Sequence, residues 1–187
     1  MKLIQKGNSK LPGMYMFNLP ANREVCNRTC KGCYAVKEQR RFPSVVKARQ
    51  ARLEASRQPT FRFTIKKELS KLRNKPKYFR IHSSGEFYSQ QYVNDWVSIA
   101  KSFPDITFYT YTKRLRDFDF SVLKALPNVV IIDSFHFGRL NYGPKDKAPK
   151  GAFICPEVRG KVVCGVDCTW CQTKGQADEK GVYFIKH

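Results

Sequence analysis

Four short apolar runs, separated by helical stretches, constrain the fold of this chain more than any other feature. They span residues 14–19, 77–82, 106–112 and 128–134, and they are rich in the β-branched and aromatic residues typical of strands. The segments between them, such as 89–103, carry apolar residues at helical spacing. Alternation of this kind predicts an α/β fold, with a parallel sheet joined by right-handed crossovers.

Chain length narrows this prediction. A complete eight-stranded barrel needs about 250 residues, and this chain has 187. We therefore expect a partial (β/α) TIM-like half-barrel over residues 1–140. The composition changes after Gly138, and four cysteines and a last apolar run at 181–185 follow. Residues 141–187 are predicted to form a small Cys-rich C-terminal tail packed on the half-barrel.

The seven cysteines are expected to be reduced thiols. No run is long and apolar enough to cross a bilayer, and no apolar signal-peptide core follows Met1. These observations predict a cytoplasmic location, where metal or cluster ligation is favoured over disulfides. By position, the cysteines divide into a group of three and a group of four.

The group of three, which we call the cysteine loop, directly follows the first predicted strand. Cys26, Cys30 and Cys33 are separated by three and then two residues. This spacing can supply three ligands of a [4Fe–4S] cluster and leave the fourth iron open to a substrate or cofactor. The alternative is three of the four ligands of a zinc site. Ligand loops of α/β proteins commonly lie just past the carboxyl ends of strands.

The group of four lies in the tail. Cys155, Cys164, Cys168 and Cys171 can complete a tetrahedral site, and both an auxiliary [4Fe–4S] cluster and a structural zinc ion fit such a set. Either one would stabilise a segment too short to build its own core. His187 is an alternative ligand in place of one thiolate.

Three segments carry a resemblance to a known superfamily. Residues 17–21 (FNLPA), 30–35 (CKGCYA) and 84–88 (SGEFY), together with the cysteine-rich tail, resemble a phage-encoded family of radical S-adenosylmethionine (SAM) enzymes. The resemblance covers about residues 14–140 and implies a partial TIM barrel. It also implies that the cysteine loop holds a [4Fe–4S] cluster whose open iron binds SAM. Reductive cleavage of SAM would then give a 5′-deoxyadenosyl radical that abstracts a hydrogen atom.

The resemblance also suggests SAM contacts. Ser84, Gly85 and Glu86 resemble the superfamily segment that binds the SAM amino group, and a carboxylate is a suitable acceptor for an ammonium. Most members carry an aromatic residue just before the third cysteine, where it meets adenine. This chain departs from that pattern with Gly32, so Tyr34 becomes the candidate for packing adenine.

Residues at the ends of the next two predicted strands complete the candidate site. Thr112 and Lys113 follow the third strand, and Lys113 is placed to pair with the SAM carboxylate. Ser134 and His136 follow the fourth strand and are placed to contact the ribose or the substrate. The alternative for Lys113 is a solvated surface lysine. His82, near the end of the second predicted strand, is the other internal histidine, and its alternative is a core group with its hydrogen bonds satisfied. The sequence assigns no residue a catalytic role.

The charge is strongly uneven along the chain. The net charge is +20, and residues 1–80 carry 21 Lys or Arg against four Asp or Glu. Such a distribution favours a polyanionic partner. We therefore expect a nucleic acid or a nucleotide-like substrate, although a basic protein without such a partner has the same composition.

Together these features predict a radical SAM enzyme that modifies a nucleic acid or nucleotide and receives electrons from an external donor. Other enzyme classes that fit are an activase of a glycyl-radical enzyme and a peptide-modifying radical SAM enzyme. A non-catalytic, zinc-stapled nucleic-acid-binding protein is the alternative from a different class. A monomer without membrane contact is favoured, in the cytoplasm of a bacterium or a phage-infected host cell.

Overall fold

The protein is described here by a computed structural model covering residues 2–7, 11–27, 30, 32–156 and 162–185. His187, the alternative tail ligand, lies outside these residues. The strands are β1 (Gln5–Lys6), β2 (Tyr15–Phe17), β3 (Tyr78–Ile81), β4 (Thr107–Thr112), β5 (Val129–Asp133), β6 (Tyr142–Gly143), β7 (Phe153–Ile154) and β8 (Val182–Ile185). The helices are α1 (Arg23–Cys26), α2 (Tyr34–Arg41), α3 (Pro43–Ser56), α4 (Phe61–Ser70), α5 (Gln90–Lys101), α6 (Ser121–Ala125) and α7 (Ala177–Lys180).

The main sheet has five strands in the order β1-β2-β3-β4-β5. β2 to β5 run parallel, and each pairs with the next one along the chain, whereas β1 pairs antiparallel with β2. This arrangement confirms the α/β class and all four predicted strands of the sheet. Because sequential strands are neighbours, the carboxyl ends of β2 to β5 lie along one edge.

One face of the main sheet packs against the long helices. Phe17, Phe79 and Phe108 project from consecutive strands into a core that also contains Phe61 of α4 and Trp96 of α5. The ring centroid of Trp96 lies 5.8 Å from those of Phe17 and Phe79. Strand residues alternate between the two faces, so this core uses every second position of each strand. None of the helices in the described part of the chain is both long and apolar enough to span a membrane.

The opposite face of the main sheet is covered by the C-terminal tail. Met16, Tyr109 and Ile132 project from this face into a second core, to which the tail contributes Cys171 and Val182. The tail contains its own three-stranded sheet in the order β6-β8-β7, with both pairs parallel. The last predicted strand is confirmed as β8. The sequence did not predict β6 and β7, because two-residue strands show no alternation.

Candidate functional site

Backbone hydrogen bonds join the segments that follow the parallel strands. The amide of Leu19, after β2, donates to the carbonyl oxygen of Ser84, after β3, over 2.9 Å. The amide of Ser134, after β5, donates to the carbonyl oxygen of Thr112 at the end of β4, also over 2.9 Å. The predicted segments therefore meet at the carboxyl edge of the sheet, where α/β proteins commonly bind ligands.

Short helices hold the ends of the cysteine loop. The side chain of Asn22 accepts a 3.0 Å hydrogen bond from the Val25 amide and so caps α1, which ends at Cys26. Cys33 is the residue before α2, and its amide donates to the carbonyl oxygen of Cys30 over 3.1 Å. Two of the three cysteines are thereby fixed to regular structure.

The three thiols lie close enough to influence one another. Burial, together with the nearby carboxylate of Glu86 and the thiols of Cys33 and Cys30, raises the pKa of Cys26 to about 12. A thiol of this kind keeps its proton at neutral pH unless a cation is bound nearby. A metal ion or cluster at this loop would therefore release a proton from Cys26.

Asn18 joins the end of β2 to the segment after β3. Its side-chain oxygen accepts hydrogen bonds from the amides of Ser83 and Ser84, at 2.7 and 3.1 Å. The Ser84 hydroxyl donates to the carbonyl oxygen of Leu19 over 2.9 Å. Ser84 thus positions the loop through both its backbone and its side chain. Asn18 was not predicted as a site residue, because its role appears only once the two strand ends are side by side.

Gly85 is required by a close approach of two backbones. Its φ is +88°, and an added Cβ would lie 2.5 Å from Cβ of Leu19 and 3.0 Å from the Leu19 carbonyl group. Both the conformation and the lack of space exclude a side chain. Glycine here brings the segment carrying Glu86 against the end of β2.

Glu86 is buried at the centre of the edge. Its carboxylate accepts a 2.8 Å hydrogen bond from the Thr112 hydroxyl and a 3.1 Å hydrogen bond from the Lys113 amide. Burial raises the pKa of Glu86 above its ordinary value, although these two hydrogen bonds and the charges of Lys113 and Arg114 oppose the shift. Each carboxylate oxygen retains a lone pair for a further donor.

Lys113 connects Glu86 to the cysteine loop. Its ammonium nitrogen donates to Sγ of Cys30 over 3.0 Å, and its charge influences the Glu86 carboxyl group. Burial lowers the pKa of Lys113, but the hydrogen bond with Cys30 and the charges of Cys30, Glu86 and Cys33 outweigh it, and the net shift is upward. Lys113 is therefore a cation held among thiols, not a solvated surface residue.

Tyr34 spans the gap between the cysteine loop and β3. Its hydroxyl donates to the carbonyl oxygen of Ser83, while 60% of the residue surface remains exposed. The exposed ring lies next to Cys33 in sequence and is available to a planar ligand at the edge.

The two residues after β5 differ in their surroundings. The backbone of Ser134 bonds to Thr112 and to Asn141 at the carboxyl edge. His136 is buried against the tail, where a Cβ on Gly181 would lie 2.2 Å from its ring. Its Nε2 is buried and has no hydrogen-bond partner among the described residues. The structure thus brings Ser134 to the edge, while His136 contacts the tail.

The four tail cysteines also influence one another. Burial raises the pKa of Cys171 to about 12, and the thiols of Cys164, Cys155 and Cys168 contribute to the shift. A backbone bridge pairs Cys164 with Cys168. Beside them, the rings of Phe153 and Trp170 stack with their centroids 4.2 Å apart.

Both cysteine groups have the donor chemistry expected for a metal or an iron–sulfur cluster. Within the described residues, no three His, Cys, Asp or Glu side chains converge as a ready-made metal site. The thiols of each group are nevertheless close enough to shift the pKa of a neighbour. Thiolates are soft donors that suit zinc and iron–sulfur clusters. The residue types of both cysteine groups therefore fit either kind of centre.

A cavity of about 410 Å³ lies away from the cysteines, on the helical side of the sheet. It is lined by residues of α3, α4, α5 and the segment before α5, including Arg57, Tyr88 and Asp95. The Tyr88 hydroxyl shares a 2.8 Å hydrogen bond with Ser56 in its wall. None of the predicted site residues lines this cavity.

Comparison with known proteins places the chain in a family. The sequence profile of the family described as Gene product 88 matches residues 2–153. The chain belongs to that family. The matched range of Gene product 88 includes the cysteine loop and the whole main sheet, and it ends before Cys155. The four tail cysteines therefore lie beyond the matched range.

Two phage proteins are among the relatives. The Gene 88 protein of Mycobacterium phage D29 is 30% identical over 101 residues, which are 54% of this chain and 38% of that protein. The Gene 88 protein of Mycobacterium phage L5 is 44% identical over 41 residues, which are 22% of this chain and 17% of that protein. The chain thus matches less than half the length of either relative. No solved structure matches the chain.

Proposed function

We propose that this member of the Gene product 88 family is a radical SAM enzyme built on a partial (β/α) half-barrel with a Cys-rich tail. One observation carries the proposal. The cysteine loop lies at the carboxyl edge of a parallel sheet, where Cys30 is hydrogen bonded to a neighbour of the buried Glu86 carboxylate. Lys113 contacts both Cys30 and Glu86, and Thr112 contacts Glu86.

In this proposal Cys26, Cys30 and Cys33 hold a [4Fe–4S] cluster that leaves one iron open for SAM. When bound, the cluster and SAM together supply one-electron reductive cleavage of a C–S bond. The Glu86 carboxylate would accept hydrogen bonds from the amino group of SAM, and Lys113, which is hydrogen bonded to Cys30, would pair with the SAM carboxylate. The exposed ring of Tyr34 would pack against the adenine.

The substrate class follows from charge. The first 80 residues carry most of the positive charge, including the cysteine loop and α2 to α4. We propose a nucleic acid or nucleotide as the molecule modified, an external electron donor, and the cytoplasm of a bacterium or a phage-infected host cell as the place of action. The tail is proposed to bind an auxiliary cluster or zinc through its four cysteines.

Anaerobic reconstitution with iron and sulfide tests the proposal. We expect a brown protein whose reduced form gives a cluster signal in electron paramagnetic resonance, and we expect added SAM to change that signal. With dithionite and SAM, the protein should form 5′-deoxyadenosine. Cys30→Ala should abolish both the SAM-dependent change and the product, because a cluster held by two cysteines cannot be retained at this loop.

Cys168→Ala is the matched control, since it removes a thiol from the tail and leaves the cysteine loop intact. This variant should lose metal from the tail while its SAM-dependent signal remains. Product formation that is equal in Cys30→Ala and wild type would overturn the assignment. A colourless protein that binds only zinc and still binds nucleic acid would favour the non-catalytic alternative.

A further inference from the structure

Arg80 is a charged residue of the main sheet that the sequence analysis did not select. It lies in β3, where Phe79 and Ile81 point into the core on the helical side. Because neighbouring strand residues point to opposite faces, Arg80 projects towards the tail. Its Nε donates to the carbonyl oxygen of His82 over 3.2 Å. This is the one hydrogen bond that its side chain makes to the described part of the chain, so both Nη groups remain for another acceptor.

The charge of Arg80 has no acidic partner among the described residues. Its guanidinium carbon lies 6.0 Å from the ring centroid of Tyr109 and 5.1 Å from that of Tyr111. Burial raises the pKa of Tyr109 to about 12 and shifts the pKa of Tyr111 upward as well. Both phenols are therefore neutral near pH 7, and they offer cation–π contacts without cancelling the charge.

Arg80 lies between the two cysteine groups. Burial lowers the pKa of Arg80, but at high pH, where Tyr109, Tyr34, Tyr111 and Cys164 ionise, their charges outweigh burial and the net shift is upward. Tyr34 belongs to the segment next to Cys33, and Cys164 belongs to the tail. A group bound by Arg80 would thus be close to both the carboxyl edge and the tail.

A partly buried cation without a carboxylate partner is costly to keep, because few groups in its surroundings replace water. Because none of the described residues supplies that carboxylate, an oxyanion from outside the chain can take its place. The planar guanidinium, with its remaining N–H donors, matches the oxygens of a phosphate or carboxylate group.

We propose that Arg80 binds a phosphate group of the substrate at the face of the main sheet that the tail covers. The phosphate identification rests on the proposed nucleic acid or nucleotide substrate. The carboxylate of SAM is a second candidate oxyanion. Lys113, however, lies at the cysteine loop and is the residue proposed to pair with that carboxylate. The two cations thereby serve different ligands, Lys113 for the cofactor and Arg80 for the substrate.

Binding of adenosine 5′-monophosphate, measured by calorimetry on the reconstituted protein with adenosine as the probe lacking phosphate, tests this inference. We expect Arg80→Met to weaken nucleotide binding about 10- to 100-fold, the usual range for hydrogen bonds to a charged group. Arg80→Lys should restore part of the affinity, because it keeps the charge but loses the planar fork. Adenosine binding should be equal in all three proteins.

Arg73→Met is the control for net charge. Arg73 is exposed and precedes β3, at the opposite edge of the sheet, so its loss should change nucleotide binding less than about 2-fold. SAM binding, measured separately, should be unchanged in Arg80→Met. Equal nucleotide affinity in Arg80→Met and wild type would overturn the inference. Weakened SAM binding, or metal lost from the tail, with unchanged nucleotide affinity would also overturn it.

The two proposals fail in distinguishable ways. A wild-type protein that binds the nucleotide through Arg80 but forms no 5′-deoxyadenosine would overturn the enzymatic proposal and support the Arg80 site. If the protein forms 5′-deoxyadenosine but its nucleotide binding does not depend on Arg80, the enzymatic proposal is supported and the Arg80 site is overturned.

Discussion

His82 is the residue of the carboxyl edge with the most unusual environment. It is buried, has a φ of +65°, and shares a 2.8 Å hydrogen bond with the Tyr92 hydroxyl through Nε2. Its Nδ1 is buried without a hydrogen-bond partner among the described residues. Burial, with a smaller contribution from Arg80, lowers the pKa of His82 to about 3.

This shift makes folding stability depend on pH. Below the unfolded-state pKa of about 6.5, His82 binds a proton in the unfolded chain but stays neutral in the folded chain. The free energy of unfolding therefore falls as the pH decreases. We expect His82 to lower the free energy of unfolding by about 2 kcal/mol between pH 7 and pH 5. The free energy of unfolding should keep falling until the pH approaches the folded-state pKa of His82.

Urea unfolding at both pH values, compared with His82→Asn, measures this term. Asparagine tolerates a positive φ and does not titrate, so the variant should lack this part of the pH dependence. Tyr92→Phe removes the hydrogen bond but keeps a titrating histidine, so it should keep the pH dependence. An equal slope in wild type and His82→Asn would contradict the expectation.

Candidate residues could be selected where the chemistry is local in sequence. The spacing of Cys26, Cys30 and Cys33 marks them as candidate ligands, and that role stays a prediction. The position of Glu86 after a predicted strand placed it at the carboxyl edge, where the structure has it. Arg80 and Asn18 were missed for a common reason. The role of each depends on which segment lies beside it in the fold, and that is not encoded in neighbouring positions.

At the scale of elements, the junction between β2 and the segment after β3 organises the candidate site. Asn18 and Ser84 join these segments through hydrogen bonds, and Gly85 allows them to touch. A change at Gly85 therefore acts on the whole junction and shifts Glu86 with it.

Gly85→Ala should destabilise the protein by about 2–5 kcal/mol. About 1–2 kcal/mol comes from the left-handed conformation, and about 1–3 kcal/mol comes from overlap with Leu19. Gly151→Ala is the matched control, because Gly151 has a φ of +81° but nothing within 4 Å of an added Cβ. Thermal unfolding of both variants separates the two terms. Equal destabilisation would mean that the contact with Leu19 has no energetic role.

Elements were predictable where they are long or regularly patterned. The strong pattern of Tyr92, Val93, Trp96 and Ala100 predicted α5, and Ser89 caps it through a 3.2 Å bond with the Tyr92 amide. β6 and β7 are defined by pairing with β8, and two residues carry too little pattern to reveal such pairing.

At the scale of the whole molecule, the tail closes the second face of the main sheet. Lys174 contributes a specific attachment, since its ammonium group donates to the carbonyl oxygens of Lys124, Leu126 and Val129. These carbonyls belong to the end of α6 and the start of β5. Burial lowers the pKa of Lys174, as expected for a cation partly removed from water.

Lys174→Met should loosen the tail with little effect on the rest of the fold. Loss of the hydrogen bonds should cost about 1 kcal/mol, because Lys174 is an exposed residue whose ammonium group is only partly removed from water. Limited proteolysis should therefore cut the tail of the variant faster than that of wild type. Lys145→Met, also in the tail and exposed, is the control. Equal cleavage rates in Lys174→Met and Lys145→Met would argue against an attachment through Lys174.

The order of the parallel strands was predictable, because crossover rules leave few arrangements for sequential βα units. The position of the tail was not predictable. Its packing on Met16, Tyr109 and Ile132 uses strand positions that are apolar in any sheet buried on both sides. Nothing in those residues specifies whether helices or a cysteine-rich segment covers them.

The strand order of the tail has a kinetic consequence. β6 and β7 each pair with β8 and not with each other, so neither can form its backbone hydrogen bonds before β8 is in place. Cys155, Cys164, Cys168 and Cys171 all lie between β7 and β8. Pairing of β7 with β8 therefore closes a loop that contains all four thiols. The tail sheet and the group of four cysteines should consequently form in the same step of folding.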